Sequence, residues 1–349
     1  MKVVCGISGG VDSAVTAYLL KNQGYDVHCV FVRMMDDDSE KADAQAVAAL
    51  LHLPFEVIDY RERFKNCIIN DFISEYTGGR TPNPCIVCNR DSKWSAMLEY
   101  ADLIGADYVA TGHYAKIKEL ENGRYTILNS ESAAKDQTYV LCRLTQDMLK
   151  RTLMPLGEYT KEEVRKLAEK IGLNVASKPD SQDICFIPDN DHFRFLKENA
   201  PDKMHGEGDF INSEGQRIGT HKGIEAYTIG QRKGLNISLG HPVYVSAIDA
   251  DSNSVTLNDT DVYSDEMTVG NISEMGMRID EIDPADEFTV RVRYAHRGEV
   301  ANVYVIPSEN KDIAPTLKVK FKKPVRAIAP GQAAVFYIDG CICFAGTIL

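Results

Sequence analysis

The chain has 349 residues, 44% of them hydrophobic and 26% charged, with a formal net charge of −12. That length allows two or three domains with cores of their own, and the composition is that of an ordinary globular protein. No run of about 18 apolar residues occurs, which argues against a membrane span, and the opening MKVVCGISGG lacks the form of a signal peptide. The expected location is the cytoplasm, where the nine cysteines would be reduced thiols, metal ligands or catalysts rather than a disulfide framework.

In chain order, the first 110 residues alternate strand and helix patterns. Strands are expected at Lys2–Ile7, Val27–Arg33, Phe55–Ile58 and Tyr108–Thr111, each a short apolar run. Helices are expected at Ser13–Asn22, Lys41–Leu51, Arg61–Tyr76 and Arg90–Ile104. This pattern predicts a doubly wound α/β domain, whose ligand would sit at the loops after Ile7, Arg33 and Thr111. Residues 136–200 read as helical, with a capping box from Thr160 to Glu163 and a helix end near Gly172. From about Gly206 the texture is short β-type runs, among them Val243–Ile248, Val255–Leu257, Thr289–Tyr294, Val300–Val305, Leu317–Phe321 and Ala333–Ile338. The expected division is 1–200 for the α/β domain with its helical extension, 201–268 for a small linking domain, and 269–349 for a β-barrel.

The charge is uneven. Residues 249–287 hold twelve Asp/Glu against one Arg, and residues 288–333 hold nine Lys/Arg against three Asp/Glu. This suits either one polyanion-facing surface or two solvated faces. In the run Leu317–Phe321, Lys318 and Lys320 alternate with apolar residues, and Lys322, Lys323 and Arg326 follow. One strand face would then offer cations to phosphates.

Gly6-Ile7-Ser8-Gly9-Gly10-Val11-Asp12-Ser13 runs from strand to helix. Glycines let backbone approach a phosphate, and the helix N-terminus presents unpaired N–H groups. Asp12 would repel a bare phosphate, so its presence suggests an intervening Mg²⁺. The lysine of a Walker A loop is absent. The loop resembles the PP-loop of ATP pyrophosphatases, which split ATP between its α and β phosphates to form an adenylate.

Three cysteines stand in polar or Pro-broken segments read as loops: Cys85 and Cys88 in TPNPCIVCNR, and Cys185 in SQDICFIP. The other six fall in apolar strands or helical patterns, where a buried thiol acts as a small hydrophobe. Together with TGHY at 111–114, KDQ at 135–137, YTIGQRKGL at 227–235 and APGQAAVFY at 329–337, these segments resemble the bacterial tRNA-specific 2-thiouridylase family over nearly the whole chain.

That resemblance implies ATP-dependent 2-thiolation of the wobble uridine of tRNAs for Lys, Glu and Gln. Sulfur would come from a cysteine desulfurase or a sulfur-relay protein. Gly6–Ser13 would hold ATP, with Val32 and Gly112 near the nucleotide. Asn83, Pro84 and Cys85 would face the target base, and Lys135, Asp136, Gln137, Arg293, Tyr294 and Gln332 would contact tRNA. Cys88 would be the nucleophile and Cys185 the persulfide carrier, each needing thiolate character that the flanking Arg80 and Arg90 would favour. The family's usual pattern has Asp where this chain has Cys85. Two readings of that departure stand. Cys85 is an inert replacement, or Cys85, Cys88 and Cys185 form a ligand set for a [4Fe–4S] cluster. An alternative for the whole chain is a PP-loop ligase acting on a small molecule, which leaves the loop cysteines unexplained.

Overall fold

The computed structural model describes residues 1–132, 135–173, 184–310 and 312–349. Four strands of the first region are β1 (Lys2–Gly6), β2 (Asp26–Arg33), β3 (Phe55–Asp59) and β4 (Tyr108–Ala110). A hairpin follows, β5 (Lys116–Glu119) and β6 (Tyr125–Leu128), and then the short β7 (Thr152–Leu153). The order β3-β2-β1-β4-β7 makes one sheet, and every pairing in it is parallel. Val3, Val4, Cys5 and Val30 are buried because helices cover both faces, so these strands read as continuous apolar runs. Successive connections leave β1 in opposite directions, which puts the switch point of the topology between β1 and β4.

A four-stranded sheet follows, from β8 (Gly208–Ile211), β9 (Arg217–His221), β10 (Tyr244–Asp249) and β11 (Ser254–Asn258). The remaining strands are β12 (Tyr263–Glu274), β13 (Phe288–Arg291), β14 (Glu299–Ile306), β15 (Thr316–Arg326), β16 (Ala333–Ile338) and β17 (Cys341–Ile348). β12 pairs with both β15 and β17, so these six strands close into a barrel filled by Phe288, Val290, Val303, Val319, Phe336 and Phe344. The hairpin β5–β6 adds to the outside of β17, so a segment of the first region extends the barrel sheet.

Two sequence expectations change. Cys85 and Cys88 stand on a helix, not a loop: Pro84–Cys88 is α-helical, Asn89–Trp94 is π-helical and Ser95–Ile104 is α-helical again. Pro84 occupies the first turn, where its missing N–H costs nothing. The acidic and basic segments do not form separate faces either, because β12 lies beside β15. Lys318 pairs with Glu266, Arg326 with Asp261, and Lys322 with Glu287 at the start of β13's approach.

Candidate active site

The phosphate loop leaves β1 and enters the helix Val11–Asn22, whose N-terminus has no side-chain cap. Its own hydroxyls shape it: Ser13 Oγ accepts from the Ser8 N–H at 3.2 Å and donates to the Gly10 carbonyl at 3.1 Å. Gly9 has φ +75°, and a Cβ there would meet Asp43 Cβ at 2.6 Å, so both conformation and space require glycine. Gly112, just past β4, lies flat on the loop. A Cβ on it would stand 2.8 Å from both the Asp12 carbonyl carbon and the Ser13 nitrogen. Val32 is half-buried near the end of β2.

Asp12 is already engaged. Its Oδ1 accepts from the Tyr114 hydroxyl at 2.8 Å, and Lys161 Nζ lies 2.8 Å from both carboxylate oxygens. A Mg²⁺ ion typically takes one or two carboxylates together with substrate phosphates, and Asp12 fits that role.

The thiol region lies beside the loop after β2. Cys88 Sγ is 3.7 Å from Met34 Sδ, in an apolar pocket that also holds Phe64, Ile68 and Met35. Cys88 is 6% exposed, and burial pushes its thiol up to about 12, opposed chiefly by Lys93. Cys185 is exposed by area, yet its dense surroundings raise its pKa through desolvation, with Lys93 again opposing. The neighbouring Phe186 anchors that turn, with its ring centroid 5.3 Å from Phe72 and 5.8 Å from Phe64. Cys85 is exposed. Residues 181–183 of the SQDICFIP segment lie outside the described residues.

Lys93 is the cation missed in the sequence. Burial works to lower its pKa, but Cys88, Cys85, Cys185 and Glu40 outweigh that effect and the net direction is up. The π-helical stretch explains its place. Five residues at roughly 80° each bring Lys93 to within about 40° of the Cys88 direction, against about 140° in an α-helix. The two arginines credited from the sequence are occupied elsewhere: Arg80 is bidentate on Glu75 and Arg90 on Asp91. His113 lies near Lys93, and burial, with Lys93 second, lowers it to about 3, so it is neutral at pH 7.

Cys85, Cys88 and Cys185 act on one another and on Lys93 electrostatically, so the three thiols share one region. Among the described residues no group of three or more His, Cys, Asp or Glu side chains lies close enough to hold a metal ion. All nine cysteines are free thiols, and Cys5 faces Cys29 in the β1–β2 register as buried core.

The residues expected to touch tRNA lie on both sides of a seam between the first region and the barrel. Asn83 precedes the Cys85 helix and Pro84 is buried in its first turn. Asp136 accepts from Thr138 Oγ1 at 2.7 Å and from Arg291 at 3.0 Å. Gln137 Oε1 accepts from the Tyr114 N–H at 2.9 Å, and Gln332 Nε2 donates to the carbonyls of Thr81 at 2.8 Å and Pro82 at 3.1 Å. Arg293 donates to the Arg326 carbonyl at 2.7 Å. Lys135 is half-buried, and Tyr294 keeps 46% of its surface exposed beside Asp136. Within this set Gln332 ties the barrel to the TPNP segment, and Asp136 ties it to the segment after β6 through Arg291 and Tyr294.

Comparison with known proteins gives matches along the chain. The profile described as tRNA methyl transferase HUP domain matches residues 1–189, that of tRNA methyl transferase PRC-barrel domain 194–259, and that of aminomethyltransferase beta-barrel domain 264–349. A protein named tRNA-specific 2-thiouridylase MnmA from Lachnoclostridium phytofermentans is 44% identical, covering 100% of this chain and 99% of the relative. One of the same name from Clostridium acetobutylicum is 46% identical at the same coverage. Among solved structures, a 4-thiouridine synthetase–RNA complex with bound ATP aligns with TM-score 0.38 and 19% identity, over 58% of this chain and 51% of that one. Among the described residues no helix is long and apolar enough to cross a membrane.

Proposed function

The chain belongs to the tRNA-specific 2-thiouridylase family and is a tRNA-uridine 2-sulfurtransferase; we propose that it adenylates the uridine C2 oxygen at the β1–β4 switch point and delivers sulfur from thiols beside it. The observation that carries this reading is the meeting of two parts at one sheet edge. The phosphate loop is pressed against Gly112, and the Cys88 thiol is pressed against Met34 in the loop after β2.

The C2 carbonyl resists substitution because oxide is a poor leaving group. Its oxygen attacks the α-phosphate of ATP, pyrophosphate leaves, and the base carries an adenylate. The loop's N–H groups and Ser8 and Ser13 would orient the phosphates. A Mg²⁺ ion held by Asp12 and the triphosphate would supply charge neutralisation there. In the sulfur half, Cys185 carries a persulfide loaded by a cysteine desulfurase or a sulfur-relay protein. The Cys88 thiolate attacks the Cys185 sulfur and releases hydrosulfide, leaving a Cys88–Cys185 disulfide. Hydrosulfide adds to C2, AMP leaves with the former carbonyl oxygen, and an external thiol reduces the disulfide. Lys93 favours both thiolates. Cys85 borders the base pocket in this scheme without ligating iron.

Asn83, Pro84 and Cys85 would face a uridine taken out of its stack. Lys135, Tyr294 and the seam around Gln332 would meet the surrounding tRNA, with the wobble uridine of tRNAs for Lys, Glu and Gln as target. The cytoplasm is the compartment of this reaction, and its three working units are 1–200, 201–262 and a barrel unit that begins with β12 at Tyr263 rather than at 269. The test is pyrophosphate release on mixing protein, ATP and unmodified tRNA. Release with tRNA but not with amino acids or free nucleotides is expected. Release driven by a small-molecule acceptor would overturn the reading.

A further inference from the structure

The phosphate loop poses an electrostatic problem. An aspartate in its second helical position faces the place where a polyanion must bind, and the loop contains no lysine. Lys161 addresses it from 149 residues away in sequence. It is the first residue of the helix Lys161–Ile171. Cations are disfavoured at a helix N-terminus, where unpaired N–H groups already carry positive charge, so a lysine there calls for a local anion. Asp12 supplies such an anion, 2.8 Å from Nζ through each oxygen.

The position is built with some care. Thr160 Oγ1 accepts from the Glu163 N–H while the Glu163 carboxylate accepts from the Thr160 N–H, which fixes the first turn. Val164 and Ala168 of this helix share a core with Val15 and Leu19 of the phosphate-loop helix. Tyr114 completes the arrangement: its hydroxyl donates to Asp12, and its ring lies 5.8 Å from the Lys161 ammonium. The Lys161 side chain is only 13% exposed, so the pair is held rather than drifting at the surface.

We infer that Lys161 is the resident cation of the phosphate loop: it neutralises Asp12 so that the loop accepts the phosphates of ATP before any metal ion arrives. This rests on the reading of Gly6–Ser13 as the ATP site and deepens it. Lys161 is a positioning residue under this account, acting on nucleotide through Asp12.

The test is binding of a fluorescent ATP analogue to the full chain without tRNA, in EDTA and in Mg²⁺. The account expects measurable binding by the wild type in EDTA. K161M should weaken it by about tenfold or more, since a carboxylate without its cation then faces the phosphates. K161R should stay within about threefold of wild type. The double variant D12N/K161M should recover most of the loss in EDTA, because removing the anion removes the need for its partner. Wild type that binds only with Mg²⁺, K161M that binds like wild type, or a double variant no better than K161M would each overturn the inference. Unchanged thermal unfolding of K161M and D12N/K161M excludes misfolding as the cause of the loss. A wild type that binds no ATP under either condition would instead sink the ATP-site reading beneath it.

Discussion

Cys88 shows how burial and charge compete at one atom. With its thiol pushed up to about 12, the thiolate fraction at pH 8 is about one in ten thousand. Alkylation of Cys88 should therefore be slow at pH 7 and climb about tenfold per pH unit up to pH 10, because a raised pKa leaves the group neutral until the solution approaches it. Cys85, exposed at the start of the same helix, should be labelled first, as read by peptide mass spectrometry. Lys93→Met should slow Cys88 further, since Lys93 lowers that thiol. Faster labelling in the variant would remove Lys93 from the thiol account. Gln332 makes a different kind of prediction. Gln332→Ala removes donors from the Thr81 and Pro82 carbonyls, at a cost of about 1–3 kcal/mol if they stay unsatisfied. Hydrogen exchange across 81–85 should rise and tRNA thiolation fall, with ATP binding unchanged. A change in ATP binding alone would contradict the clamp. The motifs TPNP and GQ were legible in the sequence, but their hydrogen bonding to each other was not, because 250 residues separate Pro82 from Gln332.

Among elements, the reciprocal cap at Thr160 was readable because its chemistry is local to four residues. Thr160→Ala should cost about 1 kcal/mol in a denaturant melt. Loss of less than a few tenths would show that the tertiary packing of Val164 and Ala168 alone fixes the helix start. The Cys88–Lys93 relationship was not readable, because it depends on a π-helical stretch that no spacing rule announces. Likewise Pro84 and the two following cysteines suggested a loop, whereas proline at the first helical position begins the helix. The acidic β12 was missed for the opposite reason. Its exposed residues include Asp265 and Glu266 and its buried apolar side chains, Met267 and Val269, are few, so burial rather than apolar content defines it. The hairpin β5–β6 turns at Asn122-Gly123, a signal that was available in the sequence and whose destination on the barrel was not.

At the scale of the molecule, net charge is a poor guide to the nucleic-acid face. Lys318 and Lys322 are matched by Glu266 and Glu287, so neutralising Lys318, Lys320 and Lys322 together should change the slope of tRNA binding against log salt by at most about one counterion. A change approaching three would mean that these pairs open on binding. The doubly wound sheet was legible from alternating apolar runs, and so was the phosphate loop. The closure of the barrel through β12 and β17, and the seam that holds its loops against the thiol helix, are long-range facts. The central claim is that the two halves of one sheet edge activate a uridine and give it sulfur without iron. The direct measurement is a single turnover of iron-free protein, loaded with persulfide on Cys185 and mixed with ATP and unmodified tRNA, reading 2-thiouridine and AMP. The account predicts one of each per persulfide, lost in Cys88→Ala and Cys185→Ala and kept in Cys85→Ala. No 2-thiouridine until an iron–sulfur cluster is reconstituted, with Cys85→Ala as inactive as the other two, would contradict it.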